Sequence, residues 1–333
     1  RRASLEAIGN GSAKIVIGTH ALFQEGVDFH SLGLIVIDEQ HRFGVHQRVA
    51  LRDKGAAAGK HPHQLVMTAT PIPRTLAMAA YADLDTSIID ELPPGRQPVK
   101  TVALPDGRRG EVVERVRNAC SAGQQAYWVC PLIDESDVLD YQAAEVSYQM
   151  LSDALPELRV GLVHGRMKNA ARDDVMRAFK AGDIDVLVAT TVIEVGVDVP
   201  NASLMIIENT ERMGLSQLHQ LRGRVGRGAA QSHCVMLYKQ PLGELAKSRL
   251  GVLRDTNDGF LVAQRDLELR GPGELLGTKQ TGLPEYRVAN LVRDAELMPA
   301  VQKAAAILAS EHHEAERAIV VRWLGDAHHY GKV

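Results

Sequence analysis

The sequence predicts an α/β protein with two parallel-sheet lobes followed by a mainly helical segment. Short apolar runs alternate with helical patterns along most of the 333 residues, and this alternation is typical of parallel α/β layers. The alternation stops at the Pro/Gly-rich stretch 93–98 and resumes beyond it, which indicates a linker between two lobes. After Gln240 the strand-like runs give way to helical patterns, so a third segment is predicted there.

Composition limits the class of protein. The length suits about two domains of the usual ~100–200 residues, and a hydrophobic content of 45% supports a large core. A net charge of −3 means that any nucleic-acid binding would rely on local basic patches. Three cysteines without zinc-site spacing fit a reducing cytoplasm. No apolar run approaches the length of a membrane span, and no signal-peptide pattern begins the chain.

The first domain is predicted at residues 1–92. Its candidate strands are short apolar runs of the kind that forms buried parallel strands, at residues 14–18, 32–37, 64–68 and 86–90. The linker is predicted at 93–98, where three prolines and a glycine break regular structure.

The second domain is predicted at residues 99–240. Its candidate strands are short apolar runs, at residues 99–104, 126–130, 159–163, 184–189, 202–207 and 233–238. Its helices bury one apolar face each and are predicted at residues 112–120, at 142–155, and from a capping Asn169 to a stop near Gly182.

The third segment is predicted at residues 241–333. Residues 242–254 have a helical pattern, whereas 260–269 are compatible with either a helix or a strand. A Gly/Pro loop follows, and the tail 294–324 is predicted to be mostly helical.

Two adjacent carboxylates, Asp38 and Glu39, end the predicted strand 32–37. Ligands bind at the carboxyl ends of strands in α/β sheets. Asp38 is suited to hold a hydrated magnesium ion, since Mg²⁺ needs only one or two carboxylates together with waters and phosphate oxygens. Glu39 is suited to orient a water against a phosphate. Taken alone, an acidic pair that ends a strand is more often the start of a solvated loop.

Hydroxyl residues follow two other predicted strands. Thr68 and Thr70 end the strand after the acidic pair. Alone, the tripeptide 68–70 would indicate a strand end with a Pro-stopped turn. Because it follows the acidic pair, we interpret the two hydroxyls as candidates for bonding to the acidic site. Thr190 and Thr191 end a strand of the second domain and are candidates for nucleic-acid phosphate contacts.

The stretch Gln217 to Gly228 is the most specific in the chain. Gln220, Arg224 and Arg227 lie at i, i+4 and i+7, so one helical face would present all three. Guanidinium groups match phosphate geometry and stabilise charge in phosphoryl transfer. The alternative is a basic helix that binds nucleic acid nonspecifically.

Together these motifs resemble those of the superfamily 2 helicases and translocases. The resemblance implies two RecA-like P-loop NTPase lobes, the first of them incomplete here, with ATP and Mg²⁺ bound in the cleft between the lobes. It assigns the catalytic and ATP-binding roles to one set of positions, namely Asp38, Glu39, Gln220, Arg224 and Arg227. It also implies that Gly196 and Asp198 approach the nucleotide.

The same resemblance implies roles for residues outside the ATP site. Gly18 to Leu22 and His164 to Met167 are similar to nucleic-acid motifs of the two lobes, so the DNA-binding candidates are Thr19, His20, Arg166, Thr190 and Thr191. The candidates for coupling ATP hydrolysis to movement in the first domain are His41, Thr68 and Thr70.

Within the superfamily, the sequence resembles the RecG branch in particular. The run Asp38 to Val45 is typical of that branch, and Arg265 to Gly282 is similar to its translocation motif. The resemblance implies that Arg265, Asp266, Arg270 and Gln280 couple motor movement to duplex DNA. It implies branched DNA, such as Holliday junctions and stalled forks, as the substrate in recombination and repair, and single-stranded-DNA-binding protein as a further partner.

One departure from the family pattern concerns the phosphate loop. The 333 residues contain no Gly-x-x-x-x-Gly-Lys-Ser/Thr sequence. Because the chain begins with Arg1, we expect it to be the C-terminal motor portion of a longer protein, with the phosphate loop and a DNA-gripping wedge domain upstream, and to be inactive alone. The alternatives are an Mfd-type double-stranded-DNA translocase and a hydrolysis-incompetent DNA-binding fragment.

Overall fold

The computed structural model describes residues 2–24, 26–39, 54, 61–68, 85, 87–131, 137–190, 199–228, 231–270 and 293–324. The chain divides into two compact units, one formed by 1–82 and 270–333 and the other by 83–269. Helices and strands are numbered below in chain order through the described residues.

The first unit contains a two-stranded parallel sheet. Helix α1 (Arg2–Gly9) precedes strand β1 (Leu34–Ile37), which pairs with β2 (His63–Val66). Ile35 and Ile37 are buried and Leu34 and Val36 are exposed, so the two faces of β1 differ as period-two alternation requires. The tail of the chain adds two helices to this unit, α8 (Met298–Glu311) and α9 (His313–Leu324), as the sequence predicted.

The second unit is built on a six-stranded sheet in which every neighbouring pair is parallel. Its strands are β3 (Lys100–Pro105), β4 (Gln125–Val129), β5 (Val160–Val163), β6 (Val186–Ala189), β7 (Ala202–Ile207) and β8 (His233–Tyr238). Their order across the sheet is β3-β8-β7-β4-β6-β5. The predicted α/β class is therefore confirmed for this unit.

Helices cover both faces of the six-stranded sheet. They are α2 (Arg109–Ser121), α3 (Asp137–Ala154), α4 (Asn169–Ala181), α5 (Leu215–Arg222), α6 (Glu244–Asp255) and α7 (Gly259–Arg270). Residues of α2 and α3 pack with one face of the sheet, and residues of α4 to α7 pack with the other. The central strands β4, β6 and β7 are buried along their whole length, because a parallel sheet of this kind is covered on both sides.

A buried acidic residue organises the end of the central strands. Glu208 follows β7 and is 6% exposed. Its Oε1 accepts a 2.5 Å hydrogen bond from Trp128 Nε1 and forms an ion pair with Arg109, whose guanidinium also lies 5.8 Å from the Trp128 ring. Ser147 donates a further bond to the same carboxylate. Arg109, the first residue of α2, therefore supplies the positive charge that a buried carboxylate requires.

Three local predictions are corrected by the structure. Residues 14–18 and 87–90 are not in strands, and Ile15 and Ile17 are strongly exposed. An apolar run becomes a strand only where a neighbouring strand offers a hydrogen-bonding edge. Asn169 is the first residue of α4 rather than its cap, since Lys168 occupies the cap position without a side-chain bond. The predicted stop holds, because Gly182 adopts the left-handed conformation at φ 83°.

The ambiguous run 260–269 is helical. It lies in α7, and the apolar sides of α6 and α7 join the core of the second unit through Leu250, Leu253 and Val262. The second unit consequently extends to Leu269, whereas the predicted boundaries 99–240 and 241–333 stay predictions. Among the described helices none is long and apolar enough to cross a membrane.

Candidate functional site

The acidic pair lies at the carboxyl end of β1. Asp38 directly follows the buried Ile37, and its Oδ1 accepts a 2.9 Å bond from the Glu39 backbone N–H. Glu39 has φ 53°, a left-handed conformation that is uncommon for a residue with a side chain. The Asp38 carboxylate is therefore tied to the backbone of the residue that follows it.

Strand pairing brings Thr68 to the same edge. Ile37 is in register with Val66, and Met67 N–H donates a 2.7 Å bond to Ile37 O. Asp38 and Glu39 follow β1 and Thr68 follows β2, so all three lie at the carboxyl edge of this parallel pair. The coupling candidates His41 and Thr70 lie outside the described residues.

The first DNA-binding candidates lie on an exposed turn. Thr19 precedes a short 3-10 helix, His20–Phe23, and its carbonyl accepts a 3.0 Å bond from Leu22 N–H. Both Thr19 and His20 are exposed. Their position on the surface leaves their side chains accessible to a large ligand such as a nucleic acid.

The DNA-binding candidates of the second unit meet at one edge of the six-stranded sheet. Thr190 follows β6, His164 to Met167 follow the neighbouring β5, and the N–H of Thr190 donates a 3.2 Å bond to Val163 O. Arg166 is exposed, but Thr190 is only 2% exposed, and its Oγ1 has no hydrogen-bond partner among the described residues. Thr191, Gly196 and Asp198 lie outside that part of the chain.

The predicted helical presentation of three site residues is wrong. Helix α5 ends at Arg222, so Gln220 lies on the helix, whereas Arg224 and Arg227 follow it in a turn. We call Gly223–Gly228 the finger segment. The glycines end the helix, because they stabilise it less than any residue other than proline. Arg227 Nε lies 3.5 Å from Gly223 O, so the segment folds back on the end of α5.

Glycines of the finger segment allow close contact with the second unit itself. Gly226 has φ 78°, and a Cβ there would lie 2.9 Å from Val99 Cγ2. A Cβ at Gly228 would overlap the backbone carbonyl of Pro200. These two glycines therefore allow the chain to pack against its own backbone and core.

Helix α5 also contacts the helix that carries the first translocation-motif candidates. Ser216 Oγ donates a 2.9 Å bond to Asp266 Oδ2 on α7, and Asp266 is 6% exposed. Arg265 lies on the outer side and pairs with Glu268 on the same helix. The structure therefore brings Asp266 to the helix that precedes the finger segment. It places Arg270 at the last position of α7, while Gln280 lies outside the described residues.

Two residues that sequence reasoning missed lie at the end of α5. Arg222 is 4% exposed; its Nη1 donates to Leu253 O at 2.8 Å and to Thr256 O at 2.7 Å, and its Nη2 lies 2.9 Å from His219 Nδ1. Burial and, to a lesser extent, the neighbouring Arg222 lower the pKa of His219 to about 4, so the imidazole is neutral at pH 7 and accepts the bond. The signal in the sequence was an arginine one turn from a histidine, at i and i+3.

The described residues suit Mg²⁺ better than a structural metal. They contain no group of three or more histidine, cysteine or carboxylate side chains that could hold a metal ion. Asp38 and Glu39 nevertheless offer an oxygen pair at the end of a parallel strand. Such a pair fits Mg²⁺, which takes its remaining ligands from water and phosphate.

Three family models match the chain. Residues 1–79 match the DEAD/DEAH box helicase model, residues 111–229 match the helicase conserved C-terminal domain, and residues 256–328 match the model described as ATP-dependent DNA helicase RecG, domain 3, C-terminal. Together these matches cover both units and the tail helices.

Curated relatives match the chain along nearly its whole length. ATP-dependent DNA helicase RecG of Escherichia coli K12 is 63% identical over 331 residues, which are 99% of this chain and 48% of the relative. The Bacillus subtilis protein of the same name is 48% identical over 93% of this chain and 45% of its own length. The chain thus spans about half the length of the curated relatives it matches.

Solved structures support the same fold. A structure of RecG bound to a three-way DNA junction is 46% identical and matches with a TM-score of 0.65, covering 89% of this chain and 37% of that one. The helicase Lhr of Mycobacterium smegmatis, at 18% identity and TM-score 0.51, covers 72% of this chain and 33% of its own, and supports the fold alone. These matches confirm the predicted parallel-sheet α/β fold with RecA-like helicase domains and a helical C-terminal segment.

The depressed pKa of His219 predicts acid sensitivity of the second unit. Arg222, Asp258 and Arg96 are the charged groups that act on this imidazole. Between pH 6.5 and 4 the unfolded chain binds a proton at His219 that the folded chain does not, so stability should fall as the pH is lowered through this window. The free energy of unfolding should fall by up to about 3 kcal/mol, at ~1.4 kcal/mol per pKa unit.

Urea unfolding at a series of pH values measures this loss, with Trp128 fluorescence followed in a Trp323→Phe background. His219→Asn keeps an acceptor but does not titrate, and should flatten the pH dependence. His312→Asn, at an exposed position, is the control and should not. An unchanged slope in His219→Asn would assign the acid sensitivity to other groups.

Proposed function

The chain belongs to the RecG family of ATP-dependent DNA helicases, and on that premise we propose that it is the motor region of an ATP-dependent DNA helicase and translocase. In this proposal ATP hydrolysis drives branch migration and fork reversal of branched DNA in recombination and repair. The observation that carries the proposal is the finger segment, where Arg224 and Arg227 follow the end of an α5 anchored on two sides. Such arginines are suited to stabilise charge on a transferring phosphoryl group.

The acidic pair supplies the other half of this chemistry. Asp38 would hold a hydrated Mg²⁺ ion, which neutralises phosphate oxygens when bound. Glu39, the next residue after Asp38 at the strand end, would orient the attacking water. Gln220, on the last turn of α5, would contact the nucleotide. Gly196 and Asp198 join this set on the resemblance alone.

The proposed DNA contacts lie on both units. Thr19 and His20 offer an exposed turn in the first unit, and Arg166 offers an exposed guanidinium at the edge of the six-stranded sheet. These contacts would bind backbone phosphate and position the DNA without selecting a sequence. Thr190, which is buried, would support the neighbouring loop rather than lie on the DNA surface. Branched DNA is the proposed substrate, and single-stranded-DNA-binding protein a further partner.

Coupling of hydrolysis to movement is assigned to the α6–α7 hairpin. Ser216 bonds to Asp266 near the start of α5, and Arg222 bonds to the α6–α7 turn at the other end. A displacement of α5 would therefore be transmitted to the hairpin, and α7 leads into the rest of the translocation motif. Rigid elements with defined contacts are the physical basis for such transmission.

Wild-type activity tests the proposed function. In one sample the chain is used as it is; in the other it replaces the matching 48% of the E. coli relative in a chimaera. The chimaera should show ATPase activity that a three-way DNA junction stimulates and should unwind that junction. The chain alone should show background rates, because it contains no phosphate loop.

Each other outcome favours a different function. ATPase activity of the chain alone equal to that of the active chimaera would refute the expectation that the chain is inactive by itself. An inactive chimaera that binds DNA would favour a hydrolysis-incompetent binding fragment. Equal stimulation by linear duplex and by the junction, without unwinding, would favour an Mfd-type translocase.

The finger arginines should govern turnover rather than DNA affinity. In the chimaera, Arg224→Ala or Arg227→Ala should lower the kcat for ATP by about 10³-fold or more, because an arginine that stabilises the transition state acts mainly on the chemical step. The Kd for junction DNA should change little. Arg177→Ala, at an exposed arginine of α4, is the matched control. A weaker Kd together with an intact ATPase would instead support the basic-helix alternative.

Removing the Ser216–Asp266 bond should uncouple the motor. Ser216→Ala in the chimaera should lower junction unwinding several-fold further than ATPase, while the melting temperature changes by no more than a few degrees, as expected for a bond worth about 1 kcal/mol. Ser152→Ala, which removes a serine bond from α3, is the control. If unwinding and ATPase fell together with stability, α7 would serve only to cover the core.

A further inference from the structure

We infer that Arg222 and His219 form a positioning anchor that holds the finger segment on the α6–α7 turn, and that ATP turnover depends on this anchor although neither residue touches ATP. The inference rests on the proposed function and deepens it. It assigns roles to His219, which directly precedes the site residue Gln220, and to Arg222, which lies between Gln220 and Arg224.

The first support is the burial of a charged group. Arg222 is 4% exposed, which a guanidinium tolerates only when its donors are satisfied. Three acceptors surround it, at 2.7, 2.8 and 2.9 Å, and each distance is that of a good hydrogen bond. Arg222 therefore has few alternative positions, and moving α5 away from the carbonyls of Leu253 and Thr256 would leave a buried charge with only His219, on the same helix, as an acceptor.

Two of the three acceptors, the carbonyls of Leu253 and Thr256, lie at the C-terminal end of α6. The last four carbonyl groups of a helix have no partner within the helix. Val252 O receives the Thr256 N–H at 3.1 Å, and Leu253 O receives Arg222. A cation at this helix end is also favoured by the helix dipole. Arg222 thus completes the termination of α6 with a side chain that belongs to α5.

The α6–α7 turn, to which Arg222 donates, is itself fixed by hydrogen bonds. The N–H of Asp258 donates to Thr256 Oγ1 at 3.0 Å, and Asp258 Oδ1 accepts the N–H of Phe260 at 2.8 Å. The second bond caps the N-terminus of α7. The anchor therefore connects α5 to a fixed point between two helices and not to a free loop.

The finger segment begins at the residue after the anchor. The N–H of Val225 donates to Arg222 O at 3.3 Å, and the N–H of Arg224 donates to Leu221 O at 3.0 Å. Gly223 O lies 3.4 Å from Arg96 Nη2. The backbone that carries Arg224 is therefore bonded directly to the residues that the anchor holds, so a shift of Arg222 would shift Arg224.

His219 completes the anchor as an acceptor. Its Nδ1 faces Arg222 Nη2, and a neutral imidazole can accept there only if Nδ1 carries no proton. A side chain that offers an oxygen at that point should substitute for it, whereas an apolar one should not. This difference separates the anchor from simple packing of a buried ring.

Two sets of variants in the chimaera test the anchor. Arg222→Lys loses the forked donor geometry, and His219→Leu loses the acceptor. Each should lower the kcat for ATP by about 10-fold to 100-fold, the scale expected for catalytic groups displaced by about 1 Å, while KM and the Kd for junction DNA change by less than about threefold. His219→Asn should stay within about threefold of wild type in kcat.

Arg117→Lys is the matched control. Arg117 also donates to a helix-end carbonyl, Ala154 O at 2.7 Å, but on α3. An unchanged kcat in Arg222→Lys and His219→Leu, or a fall no larger than in Arg117→Lys, would overturn the inference. A kcat of His219→Asn as low as that of His219→Leu would do the same. If Arg222→Lys does not fold, His219→Leu decides.

Hydrogen exchange of the 333-residue chain supplies a readout that does not depend on activity. His219→Leu should speed exchange at residues 223–225 and 254–258 and leave the buried strand β4 unchanged. Uniformly faster exchange, or none, would overturn the anchor. If instead the wild-type chimaera lacks ATPase activity, the proposed function fails, while this exchange measurement still tests the anchor.

Discussion

The parallel arrangement of the strands is the constraint on which the rest of the structure depends. Parallel strands have all their carboxyl ends at one edge of the sheet, so polar residues that are distant in sequence become neighbours there. In the first unit this places Thr68 at the same edge as the acidic pair. In the second unit it places Thr190 beside the turn that carries Arg166. The same arrangement requires helices on both faces, which accounts for the fully buried central strands.

Two buried charged residues, Glu208 and Arg222, fix the positions of element ends that apolar packing alone would not fix. Glu208 holds Trp128 and Arg109 at the end of the central strands. Arg222 holds the end of α5 against the α6–α7 turn. Apolar packing tolerates small sliding of one helix over another, whereas a buried ion tolerates very little, because each lost hydrogen bond leaves an unsatisfied charge. Glu208 and Arg222 therefore contribute more to fixing the relative positions of the elements they contact than to the free energy of unfolding.

Helix α5 connects these constraints to the proposed chemistry. Its apolar side is part of the core through Leu215, Leu218 and Leu221, and its polar contacts lead to α7 at Ser216 and to the α6–α7 turn at Arg222. A short helix held by three kinds of contact moves as a unit with its neighbours. The contacts of α5 therefore fix the start of the glycine-rich finger segment, so its arginines have a defined position although glycine allows many backbone conformations.

The sequence by itself determined the fold class, the strands at 202–207 and 233–238, and the residue types of the candidate site. These depend on hydrophobic periodicity and on local motifs, which are properties of short stretches. Only the tertiary structure decided that residues 14–18 are not a strand, that α5 ends before Arg224, and that Arg222 binds carbonyls more than thirty residues away. Pairing edges and buried acceptors are supplied by distant parts of the chain, and no local pattern encodes their distance or direction.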